Sequence, residues 1–159
     1  MKIYISLFLS LMFFSCSQDN DNELNSETIL LTSGISSIKF GDSAQTVFEV
    51  FGEVESTATA SGSEYYYSLN YREGVIFISE QGASKEIDPT LRVIIMSFES
   101  PFEGVTEEGI SNGSTKQEVI EAYGDSTIVP NVLEYEDLGL FITFYDGLVD
   151  YILIQHIIV

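Results

Sequence analysis

Polar and apolar residues alternate along Glu64–Tyr71. Tyr65, Tyr67, Leu69 and Tyr71 fall on one side, and Glu64, Tyr66, Ser68 and Asn70 on the other. A period of two is that of a strand with one buried face. Gly74-Val75-Ile76-Phe77-Ile78 and Arg92–Phe98 follow as further runs of strand length. A corresponding set comes later in Val132–Glu136, Gly139-Leu140-Phe141-Ile142 and Asp150–His156. Asp146-Gly147 joins the last two as a tight hairpin; in the first set a longer loop, Gln81–Pro89, takes that place.

A helical pattern precedes each set. Gly41–Gly52 aligns without gaps over Gly113–Gly124, sharing the flanking glycines, Gln45/Gln117, Val47/Val119 and Glu49/Glu121, with Phe51/Tyr123 a near match. Such self-similarity predicts an internal repeat. Asp42 and Ser114 are the expected N-caps, with Gln45 and Gln117 three residues on, where a capping box places Glu or Gln. Gly52 and Gly124 are the expected C-caps. Val47, Phe48 and Phe51 form one apolar stripe, and Val119, Ile120 and Tyr123 its copy. The fold expected is α+β: two tandem repeats of a short helix followed by a three-stranded antiparallel meander, with the helices packed on one sheet face. Repeat one spans 29–104 and repeat two 105–159.

The third strand of each set is apolar on both sides. One side carries Val93, Ile95, Ser97, Tyr151, Leu153 and Gln155; the other carries Ile94, Met96, Phe98, Ile152, Ile154 and His156. A sheet with one side in water is less apolar than this. Helices covering one side leave the other for a ligand or for another part of the chain. Tyr66, Val93, Ile95, Tyr151 and Leu153 are the candidate binding face, with Tyr66 an exposed aromatic of the type that anchors interfaces.

The chain opens with Lys2 and an apolar run through Phe14. The run has the form of a secretory signal and falls short of the roughly 20 residues of a membrane-spanning helix. Phe14-Ser15-Cys16 resembles the lipobox of bacterial lipoproteins. That resemblance implies removal of residues 1–15, a diacylglycerol on the Cys16 thiol and acylation of the new amine, hence membrane association through the lipid. Cys16 is the one cysteine, so no intramolecular disulfide can form. Residues 16–28 are polar and acidic and read as a flexible tether. Ser17 beside the lipid cysteine fits outer-membrane sorting, and the acidic run resembles the surface-export signal of Bacteroidota lipoproteins. A plain periplasmic spacer has the same composition, so periplasmic and surface display stay open.

The helix motif ending at glycine and followed by a meander resembles the β-lactamase-inhibitor-protein-like and BamE/SmpA-like families of exported bacterial proteins. The resemblance implies the fold and a binding role in general. Two departures stand out: the inhibitor proteins carry disulfides, and the assembly lipoproteins hold a single unit.

The formal net charge is −19, and loss of residues 1–15 removes Lys2 and no acid. This field repels nucleic acid, argues against docking on anionic lipid through the protein surface, and favours basic partners or divalent cations. The commonplace alternative is that acidity keeps an exported protein soluble.

His156 is the single histidine, on a strand with no second ligand for zinc, and reads as a packed or edge residue. No calcium loop, phosphate-binding loop or nucleophile elbow occurs. No metal or cofactor is expected. Acidic pairs such as Glu107-Glu108 and Glu136-Asp137 could serve a glycosidase. Asp125-Ser126-Thr127 resembles the O-glycosylation pattern of Bacteroidota, which makes Ser126 the candidate for modification. The expected function is a non-enzymatic binding lipoprotein for a protein or envelope component. The alternatives are a structural or assembly lipoprotein of the outer membrane and, third, a carbohydrate-active enzyme.

Overall fold

A computed structural model describes residues 27–54, 56–129 and 131–157. The helices are α1, Ala44–Phe51, and α2, Lys116–Tyr123. Each begins one residue later than expected. The N-caps are Ser43 and Thr115, in extended backbone, with the hydroxyls accepting from Thr46 N and Glu118 N. Asp42 and Ser114 instead close the preceding turns, accepting from Lys39 N at 2.7 Å and Ser111 N at 3.1 Å. A short side chain serves one turn at a time, so engagement upstream hands the helix to the next residue. Gln45 and Gln117 leave the cap alone. They donate to Glu49 and Glu121, one helical turn on, at 3.1 and 2.9 Å. The capping box is Thr115 with Glu118. Gly52 and Gly124 do end the helices, both at φ 85° with extended ψ, a region only glycine enters cheaply.

The strands are β1 (Ser56–Ser61), β2 (Glu64–Tyr71), β3 (Val75–Ser79), β4 (Val93–Glu99), β5 (Thr127–Val129), β6 (Val132–Tyr135), β7 (Leu140–Tyr145) and β8 (Leu148–Gln155). All pair antiparallel in one eight-stranded sheet, ordered β1-β2-β3-β4-β8-β7-β6-β5. This overturns the expected α+β fold of two helix-plus-three-strand units. The protein is predominantly one continuous antiparallel sheet, and its two helices are eight residues each. The error lay in β1 and β5. Ser-Thr-Ala-Thr-Ala-Ser has only alanine at its apolar positions, and Thr-Ile-Val is too short to show a period. They are the outermost strands, held by pairing with β2 and β6 rather than by a pattern of their own.

Register fixes what each face carries. Tyr67, Leu69, Phe77, Met96, Phe98, Ile152, Ile154, Leu140, Ile142 and Leu133 are buried on the face that also packs Val47 of α1 and Val119 of α2. Ile29, Ile35 and Ile38 join the same core. Glu27 fastens the start of this segment, its carboxylate accepting from the backbone N–H and the hydroxyl of Ser37. Two tyrosines tie the helices to the sheet. Tyr71 of β2 donates to the Gly52 carbonyl at 2.8 Å, and Tyr135 of β6 donates to the Gly124 carbonyl at 3.0 Å. Each fills a carbonyl that a helix end leaves unsatisfied.

Candidate binding surface

Below the helices the sheet has a second face that no helix among the described residues covers. Pairing carries Ile76 across to Ser97, Ser97 to Leu153, and Leu153 to Phe141. A parallel row runs from Ile78 through Ile95 to Gln155, and a third sets Tyr151 beside Thr143. Strands lie about 4.8 Å apart, so Ile76, Ile78, Ile95, Leu153, Tyr151 and Phe141 form an apolar floor roughly 15 Å wide across β3, β4, β8 and β7. All six are half-buried. Ser97 lies among them at 1 % exposure, and its Oγ has no hydrogen-bond partner among the described residues. The larger neighbours close over this small residue, so the floor is well packed.

Of the expected face residues, Ile95, Tyr151 and Leu153 lie on this floor. Val93 does not. The register shifts between Ile78 and Ser79, which pairs Val93 with Ser79 and turns it into the core at 1 % exposure. A bulge adds one residue and reverses the parity beyond it, which a strict period of two along Arg92–Phe98 cannot show. Tyr66 is on the open face opposite Thr59, but it is half-buried, and the ring pairs among the described residues leave it out. The aromatics of the floor itself are Phe141 and Tyr151. Ile76, Ile78 and Phe141 were missed, although parity within Gly74–Ile78 and Gly139–Ile142 would have placed them opposite Phe77 and Ile142.

A second concavity, about 480 Å³, lies at the end of α2 and is lined by Tyr123, Asp125, Ser126, Glu134, Tyr135, Glu136, Asp137 and Leu138. Burial raises the pKa of the Tyr123 phenol, which donates to Thr106 Oγ1 at 2.7 Å. Burial and then the nearby Asp125 charge raise that of Tyr135, which donates to the Gly124 carbonyl. Both phenols are thus held as neutral donors, unsuited to act as bases. Ser126 is half-buried here and its hydroxyl donates to the Glu134 carbonyl, which ties up the atom that a glycan would need. His156 stacks on Phe40 with ring centroids 5.6 Å apart. Among the described residues no group of three or more His, Cys, Asp or Glu converges on a metal-sized site. Cys16 lies outside the described residues, as do residues 1–15 and 17–26, where the expected signal and most of the expected tether fall.

No family model, no curated protein and no solved structure matches this chain.

Proposed function

We propose that this protein is a non-enzymatic binding lipoprotein of the cell envelope, held to the outer membrane by lipid at Cys16, that seats a protein or envelope component on the open face of its sheet. The observation that supports this is the half-buried apolar floor of Ile76, Ile78, Ile95, Phe141, Tyr151 and Leu153, which nothing else among the described residues covers. Contiguous apolar patches rimmed by polar residues mark interaction sites. The lipid supplies the address. Among the described residues no helix is long and apolar enough to cross a membrane, and Phe14-Ser15-Cys16 has the form of an acylation site.

Two experiments test the two parts. A photo-crosslinking residue at Leu153 should capture a discrete partner in envelope preparations, while the same residue at Glu49 on the exposed side of α1 should not. Equal capture at both positions, or at neither, refutes the face. Cys16→Ser should leave the protein unprocessed or release it from membranes; retention in the membrane pellet after a salt wash refutes the anchor.

A further inference from the structure

The charge around the open face extends the proposed binding role, on which this inference rests, to the chemistry of the occupant. Register sets Glu99 directly opposite Tyr151 and Glu134 directly opposite Phe141. Directly paired side chains have Cβ atoms about 4.5–5.5 Å apart. Both carboxylates therefore border the aromatic end of the floor. Glu64 stands at the far corner, opposite Ser61. Among the described residues no Lys or Arg lies within any of the eight strands, and this face elsewhere carries Thr57, Thr59, Ser68, Asn70, Thr143 and Gln155 with the apolar residues. The ion pair of the described residues joins Arg92 to Glu80, so none neutralises Glu64, Glu99 or Glu134.

A purely apolar partner would bring low-dielectric surface against these carboxylates and strip their water without compensation. An anionic lipid surface or an acidic protein would add repulsion. A partner with basic groups beside its apolar ones turns the same carboxylates into attractive contacts. We infer that the occupant is a basic protein segment, its apolar side chains seated on Ile76, Ile95, Leu153 and Phe141 and its Lys or Arg side chains facing Glu99 and Glu134. The net charge of −19 would draw such a segment in from a distance; the local carboxylates fix where it rests.

The probe is a fluorescent peptide of alternating Leu and Lys, compared by anisotropy on the purified mature protein with equal-length Leu-Ser and Leu-Glu peptides and with phosphatidylglycerol vesicles. The Leu-Lys peptide should bind, the Leu-Glu peptide and the vesicles should not, and affinity should fall as salt rises. Glu99→Gln with Glu134→Gln should weaken Leu-Lys binding about tenfold, and so should Leu153→Asn. Glu49→Gln with Glu121→Gln, an equal charge change on the helix side, should leave it unaltered. The glutamine pair changes no packing and carries the test alone if Leu153→Asn lowers the melting temperature. Should the Leu-Ser peptide bind as tightly, with the glutamine pair silent and Leu153→Asn still harmful, the basic occupant is wrong and the binding face stands. Loss of affinity through Glu49→Gln with Glu121→Gln, with Leu153→Asn silent, means general acidity alone holds the peptide; both the occupant and the face are then refuted. Vesicle binding through the face overturns the protein occupant in favour of lipid.

Discussion

Phe77 and Ile76 are neighbours on β3 that face opposite ways, and truncating each separates core from open surface. Phe77 is fully buried. Its ring lies 6.0 Å from Phe51 of α1 and 5.8 Å from Tyr71, and it is paired with Leu69 and Met96. Cutting a buried Phe to Ala removes its transfer free energy and leaves a cavity, at about 3–5 kcal/mol. A domain of this size is stable by about 5–15 kcal/mol in all, so Phe77→Ala leaves a marginal fold. With a urea slope of about 2 kcal/mol/M, the midpoint should drop by roughly 1.5–2.5 M. Ile76→Thr keeps the β-branch and the strand preference on a half-buried position, and should cost about 1 kcal/mol or less, a shift of roughly 0.5 M at most. Far-UV circular dichroism is the readout, since the chain has no tryptophan. If Ile76→Thr costs as much as Phe77→Ala, the open face is covered in the folded protein and is core. The binding surface would then not exist. The reverse ordering would mean the faces are inverted.

The Tyr67 ring is buried and its hydroxyl donates to the Ser84 carbonyl; Tyr67→Phe should cost about 0.5–1.5 kcal/mol in urea melts and speed hydrogen exchange at Gly82–Ser84. Gly74 sits at φ +80°, and a Cβ there would meet the Glu99 carbonyl oxygen at 2.1 Å. Gly74→Ala should therefore cost about 1–3 kcal/mol from the backbone alone, and an unchanged melting temperature would show that the β3 entry lies elsewhere. The Thr115 backbone and hydroxyl hydrogen bonds hold the Glu118 carboxyl below its ordinary pKa. Its stabilising contribution is present above the unfolded value of about 4.3 and is lost as pH falls through the lower folded value. Glu118→Gln should flatten that part of the stability-against-pH curve, and a curve that keeps its slope there would refute the capping box.

Helix and strand positions were legible because they are local. The stripe of Val47, Phe48 and Phe51, the alternation of Tyr65–Tyr71, and the glycines at 52 and 124 each need only their own neighbours. The Asp146-Gly147 turn is also local, and its two positive φ values of 51° and 82° are those of the tight hairpin. The choice of cap was less legible, since Asp42 and Ser43 are both good capping residues and the turn at Lys39–Asp42 decides between them. The two edge strands were invisible for a different reason. β1 and β5 gain their hydrogen bonds from β2 and β6, at the two edges of the sheet. Whether Val93 faced the core or the solvent depended on one extra residue at the Ile78/Ser79 shift, which is a property of two paired strands and of neither sequence alone. The open floor depended on more still. Ile76, Ile95, Leu153 and Phe141 come from four strands in both halves of the chain, and they meet because β4 pairs with β8. Side-chain period determined which residues could share a face. Long-range pairing, which pays its loop-closure entropy only when the whole sheet forms, decided which of them do.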